Sequence, residues 1–199
     1  SHREVIMNQS TLRWTFVITV LAAAGFIYAT AGRLPDPLAA HFATDGSVNN
    51  SMSRGAYCAL MTGLTLLIPL LVFVFQVWLP RRLMRFINIP NRNYWLETEE
   101  RKAQVIDYLE RHGLTFGLVP PLFFAAMHWL LIDANTQIPP RLDNSLFLLL
   151  TGGFVVLVLS SVVMLALHFR RAYAARRRCS ARREHDLADD LAQIGRAHV

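Results

Sequence analysis

Five side chains of this sequence are of the kinds that hold a divalent metal: Asp36, His41, Asp45, His128 and Asp133. Imidazole nitrogens and carboxylate oxygens are zinc ligands, and a zinc-bound water at neutral pH is a nucleophile. The spacing of His41 and Asp45 matches no established metal signature. A plainer reading therefore stands beside the first, in which His41 bonds the backbone of its own loop and His128 fills a satisfied interfacial position. A second set, Tyr94, Trp95 and Arg101, lies among basic residues and reads as an interfacial anchor or a docking surface. The sequence carries no phosphate-binding glycine loop, HExxH, paired CxxC or nucleophile elbow, so no enzyme chemistry is specified beyond a possible metal.

The elements that must position these residues are apolar and long. Of 199 residues, 53% are hydrophobic and only 17% charged, against about a quarter charged in soluble domains. About 20 apolar residues cross a hydrocarbon core roughly 30 Å thick. Residues 12–31, 56–79, 114–132 and 145–169 each meet that length. The fold class expected is all-α, an integral membrane bundle of four transmembrane helices with an ordered extracytoplasmic loop and a cytoplasmic amphipathic helix. Its parts are an N-terminus (1–11), a first helical pair (12–79) enclosing the loop 32–55, a cytoplasmic loop and helix (80–112), a second pair (113–169) and an Arg-rich tail (170–199). The first window is too long for a secretory signal and lacks a separate small-residue cleavage site, so a retained helix is expected. Residues 1–6 read as tag or upstream sequence, because Met7-Asn8-Gln9-Ser10 looks like a natural start.

Charge sets the expected orientation. Of the 20 Lys and Arg residues, all but Arg33, Arg54 and Arg141 fall on one side of the four windows, and that side is expected to be the cytoplasm. Trp14, Trp78 and Tyr173 then sit at the inner interface, and Tyr28, Tyr57 and Trp129 at the outer one. The net charge of +6 reads as attraction to anionic headgroups rather than to nucleic acid. Small residues on the first and last windows permit a homo-oligomer. Cys58 and Cys179 fall on opposite sides of the bilayer, so they do not pair within one chain.

Local signals refine the outline. Pro35-Asp36-Pro37 forces an extended lead-in, Asp45-Gly46 signals a turn, and the run from Val48 reads as irregular chain or a short strand. Pro69 predicts a kink in the second window, and Pro120-Pro121 a break near the middle of the third. Residues 97–112 predict an amphipathic helix with Thr98 as N-cap and Val105, Ile106 and Leu109 as its apolar stripe. That helix either lies on the membrane surface or stacks under the bundle. The tail, basic over 170–183 and acidic over 184–190, predicts a helical extension of the last span that frays at its end.

The loop residues Pro35, Asp36, Pro37, His41, Phe42, Gly46 and Arg54 resemble the pattern of a bacterial membrane domain of unknown function. That domain also forms the N-terminal part of SdpI-type immunity proteins, named for protection against a sporulation-delaying toxin. Asp45-Gly46-Ser47, Met52-Ser53-Arg54 and the stretch from Ile89 to Leu96 with Glu99 and Arg101 look like its stand-alone members. The chain departs from the pattern at Asn49-Asn50-Ser51, where the family loop usually has an Asp-Gly-aromatic group. The resemblance implies a bacterial inner-membrane location, and it adds Phe42 and Arg54 to Asp36, His41, Asp45, His128 and Asp133 as candidate ligand- or partner-binding residues. The expectation is a non-enzymatic accessory, sensor or immunity-like factor that recognises a peptide, lipid or protein of the envelope through its outer loop. Two alternatives remain: a zinc-type metal-binding membrane enzyme on His41, His128 and nearby carboxylates, and a small channel or transporter subunit.

Overall fold

The structure is a computed structural model describing residues 8–197. The side chains of 177, 179–181 and 184–197 lie outside the described residues. Expectations about residues 1–6, the Cys179 thiol and the acidic side chains of 184–190 fall there too.

Chain order is α1 (Gln9–Thr30), a hairpin of β1 (Leu38–Phe42) and β2 (Val48–Met52), then α2 (Arg54–Phe73). A π-helical segment, Val74–Trp78, joins α2 to the single turn α3 (Leu79–Arg82). The turn α4 (Arg92–Trp95) and the helices α5 (Glu99–Phe116), α6 (Val119–Thr136) and α7 (Asn144–Ala197) complete the chain. Four helical stretches are long and apolar enough to cross a membrane: Gln9–Arg33, Arg54–Arg82, Glu99–Thr136 and Asn144–Arg176. Each contains one of the four apolar windows of the sequence.

The third apolar stretch breaks beside its proline pair. α5 and α6 part at Gly117 and Leu118, and Pro120-Pro121 occupy the first turn of α6. Proline lacks an N–H, and the first helical turn has no use for one. Pro120 and Pro121 cannot bond the carbonyls of Phe116 and Gly117, so the helix breaks there; α1 packs close at the same point, where a Cβ on Gly117 would stand 2.5 Å from the Phe16 ring. Pro69 is buried within α2, which continues past it, and the helix loosens to π geometry only from Val74. That extra residue per turn presents Gln76 to α5, where its Oε1 lies 2.7 Å from His112 Nδ1. Ser161 of α7 meets the other ring nitrogen, Oγ to Nε2 3.1 Å.

Residues 97–112 form no separate surface element. α5 begins at the Thr98 cap, whose hydroxyl accepts from Arg101 N–H at 3.3 Å, and runs on to Phe116. Its stripe residues Val105 and Leu109 are buried with Ile87, Ile89, Trp95 and Phe169. A second apolar cluster, Leu12, Phe16, Val77 and Leu114, packs α1, the π-helical segment and α5 together. A third, Leu34, Leu38 and Tyr57, seats the hairpin. No residue of the most apolar window of α7 is buried. Leu148, Val156, Val162 and Met164 stand exposed along it, apolar surface of the extent that a helix shows to lipid.

The loop, where irregular chain and a short strand from Val48 were both open readings, is a hairpin. Leu38 pairs with Met52 and Ala39 with Ser51 in antiparallel register, which slips near His41. Asp45 makes the turn: its Oδ1 accepts from Ser47 N–H at 3.0 Å and Ser47 Oγ–H at 2.6 Å. Those two bonds, the hydroxyl first, hold the Asp45 carboxyl below its ordinary range. A depressed carboxylate supports the fold above its unfolded pKa and loses that support as pH falls through the folded value. The turn is therefore fully capped at neutral pH and loosens only in acid below the usual Asp range.

Candidate functional site

Gly46 follows with φ +82°, a conformation open to glycine and disfavoured for other residues. Its carbonyl accepts from Leu142 N–H at 3.0 Å, binding the hairpin to the segment between α6 and α7. Asn144 Nδ2 donates to Thr44 O at 2.5 Å and Arg141 Nη2 to Asp45 O at 3.3 Å, closing the same seam. A Cβ on Gly46 would lie 2.6 Å from Leu142 O. Gly46→Ala is therefore expected to open this seam at a cost of about 2–3 kcal/mol. Hydrogen exchange at the Leu142 amide should accelerate about thirtyfold or more. Unchanged protection there would show that the seam does not depend on the glycine.

The opposite side of the hairpin is held by Asn135 of α6. Its Oδ1 accepts from Ala39 N–H at 2.9 Å and its Nδ2 donates to Ala39 O at 3.0 Å, standing in for a neighbouring strand. At the base, Asp36 Oδ1 accepts from Arg54 N–H at 3.1 Å, and Arg54 Nη1 donates to Leu34 O at 3.1 Å. Asp36, Asp45 and Arg54 are thus engaged in building the loop.

His41 and Phe42 are differently employed. With Thr44 they border a cavity of about 480 Å³ between β1, α6 and the start of α7. Its walls are mainly apolar, including Met127, Leu130, Leu131, Leu142 and Phe147, with Asn144 as a polar member. His41 is exposed. An apolar chamber with a few polar groups suits an amphipathic ligand.

His128 does not share this mouth. It is 0% exposed and ties three helices together: Nε2 lies 2.9 Å from Thr30 Oγ1 of α1, and Nδ1 lies 2.9 Å from the Tyr57 hydroxyl of α2. Tyr57, expected at an interface, is buried with it. Asp133 is exposed. Five residues separate it from His128, which puts the two about 140° apart around a helix. Asn135, seven residues on, returns to within about 20° of His128. Among the described residues no group of three or more His, Cys, Asp and Glu is placed to hold a metal ion. The five residues that opened the sequence analysis are therefore not brought together.

The basic end has its own organisation. Arg101 lies over the Tyr94 ring at 3.9 Å, donates to Tyr94 O at 3.1 Å and pairs with Glu97 at 2.5 Å. Trp95 is 3% exposed and meets Phe169 edge-on at 5.5 Å, so its anchoring is intramolecular. Glu110, which the sequence reading passed over, is 1% exposed between Arg13 of α1 and Arg81 of α3. Arg13 Nε donates to its Oε1 at 2.7 Å, and Arg81 Nη2 to its Oε2. Nearby, Gln9 Nε2 donates to Asp107 Oδ1. Glu110 had a signal: it stands one turn after Ile106 and one before Leu114, inside the apolar stripe rather than opposite it. No family model, curated protein or solved structure matches the chain.

Proposed function

We propose that the chain is a four-span membrane protein without enzymatic activity that holds an amphipathic envelope partner at its hairpin end. In this reading the hairpin faces outward, while both termini and the arginine-rich end face the cytoplasm. The excess of Lys and Arg at that end supports the orientation. The resemblance of the loop from Pro35 to Arg54 to the SdpI-related membrane domain is in keeping with an accessory, sensor or immunity-like role.

One observation carries the reading: the cavity of about 480 Å³ bordered by His41 and Phe42. Its apolar walls take an acyl chain or an apolar side chain, and His41, Thr44 and Asn144 meet the partner's polar part. The other loop residues serve by holding the hairpin rigid, which preorganises the cavity.

A photo-crosslinking amino acid in place of Phe42, in intact cells, tests it. A discrete adduct of peptide or lipid is expected, and it should disappear when Ala40→Trp fills the cavity. The same probe in place of Leu157, exposed on α7, reports bulk lipid. If positions 42 and 157 give the same adducts, and filling the cavity changes neither, the cavity is not a recognition site.

A further inference from the structure

We propose that the cleft between α5 and α7 at the basic end binds the phosphate of an anionic membrane phospholipid. This inference rests on the membrane-spanning reading of α7, and on nothing at the hairpin end.

The cleft, of about 330 Å³, is lined by Trp95, Tyr108, Arg111, His168, Phe169 and Arg176, among others. Two arginines thus line one cavity, and Asp107 is the only carboxylate lining it among the described residues. Asp107 is already engaged on both oxygens, by Gln9 on Oδ1 and by Arg111 Nε at 3.1 Å on Oδ2. It therefore orients Arg111 and offsets half of the positive charge. Each guanidinium has five N–H donors in a rigid fork. Arg111 commits Nε, and Arg176 commits one Nη2 donor to Gln104 Oε1 at 2.6 Å. Donors remain on both for an anion.

A second observation points to the same ligand. The indole N–H of Trp95 is buried and has no hydrogen-bond partner among the described residues, although Trp95 lines this cleft. Buried donors are seldom left unmade. The acceptor most consistent with two neighbouring guanidinium groups is an anionic oxygen. Arg176 stands 5.5 Å from the Trp95 ring centre, so the orphan donor and a cation belong to one locality.

Depth and wall chemistry identify the source of the phosphate. The apolar run of α7 gives way to Arg170 and Arg171 just after Phe169, so the cleft lies where headgroups meet hydrocarbon. The stacked Tyr108 and His168 rings, 3.5 Å apart, and Phe169 make its floor. Toward the apolar run, Met164 of α7 stands exposed one turn before His168 on the same side of the helix, a surface for an acyl chain. A free phosphate uses the donors and leaves this surface bare. A phospholipid uses both.

The test uses the full chain in mild detergent, with phosphatidylglycerol or phosphatidylcholine added and binding read by native mass spectrometry. Saturable binding of phosphatidylglycerol is expected, at least about tenfold tighter than that of phosphatidylcholine. Arg111→Gln with Arg176→Gln should weaken it about thirtyfold, since each basic group near a membrane contributes roughly fivefold. Arg82→Gln with Arg171→Gln removes the same charge outside the cleft and should weaken it by less than about threefold. Trp95→Phe, which removes the orphan N–H and keeps the ring, should weaken it severalfold. It carries the test if the double variant does not fold. Equal losses from the two double variants, no loss in Trp95→Phe, or displacement of the lipid by equimolar inorganic phosphate would each overturn the proposal. Vesicle flotation after alkaline extraction separates the two readings. A chain that does not float fails the membrane reading, and one that floats without preferring phosphatidylglycerol fails only the lipid site.

Discussion

Replacing Arg13 and Arg81 together by alanine is expected to destabilise the fold by about 3–5 kcal/mol, while Glu110→Gln is expected to cost only about 1–2 kcal/mol. The asymmetry follows from which partner is buried. The Glu110 side chain is 1% exposed, against 48% for Arg13 and 43% for Arg81. Without the arginines, a carboxylate remains in the packed seam of α1, α3 and α5 with nothing to balance it. Without the carboxylate, two half-exposed guanidinium groups turn to water, and their share of the interaction was already reduced by solvent. A triple variant that adds Glu110→Leu to the two alanines should recover most of the loss, because no charge is then stranded. Thermal unfolding of the detergent-solubilised protein reads all three. If Glu110→Gln proves as damaging as the arginine pair, the carboxylate is a general organiser of the end rather than a buried charge needing neutralisation.

The same triad marks where sequence reading reached and where it stopped. Long apolar runs were legible because crossing a bilayer demands length and composition together, and few other structures do. The Asp45-Gly46 turn was legible because the chemistry of that pair is local. Thr98 was legible as a cap for the same reason. Glu110 was hidden by treating the charges of α5 as its wet face, although a 3.6-residue period runs Ile106, Glu110 and Leu114 along one line. Its two arginines lie 97 and 29 residues away, and no local rule reaches that far. A break at the proline pair was legible, because Pro120 and Pro121 cannot bond the carbonyls of Phe116 and Gly117. The close approach of Gly117 to Phe16 of α1 was not, because it joins distant stretches of chain.

The candidate site divides along similar lines. His41 stood out by residue type and Phe42 by the resemblance of the loop, whereas their place on one cavity was not legible. That Asp36 and Arg54 support backbone, and that Asn135 clamps β1, depended on which main-chain groups the hairpin leaves open. Only the pairing register determines that. A short strand from Val48 stood beside irregular chain as an open reading, and no strand was read at its partner Phe42, because a register that slips near His41 leaves no clean alternation to read. The grouping of His41 with His128 assumed that equal depth means contact. Around a helix, azimuth matters as much as depth, and His128 points into the bundle.

The hydrogen-bond pattern at His128 permits a sharp final prediction. Thr30 Oγ1 donates its single hydrogen to Phe26 O at 2.6 Å, so toward His128 Nε2 it acts as the acceptor. Nε2 therefore carries the proton, Nδ1 presents a lone pair, and the Tyr57 hydroxyl donates to it. Each member of the chain has one role, and none can be reversed without breaking a neighbour's bond. His128→Leu should cost about 2–3 kcal/mol: it removes two interhelical bonds, each worth roughly 0.6–1.7 kcal/mol in a membrane setting, and strands the buried Tyr57 donor. Tyr57→Phe should cost about 1 kcal/mol, because the ring stays packed and only one bond is lost. The informative variant is the pair. His128→Leu combined with Tyr57→Phe should be no less stable than His128→Leu alone, since the second change removes the donor that the first had stranded. Losses that simply add would mean that Tyr57 and His128 stabilise the bundle through separate contacts, and the tautomer deduced from Thr30 would then have no energetic consequence. Near-complete cancellation would identify the Thr30–His128–Tyr57 chain as one cooperative tie among α1, α6 and α2.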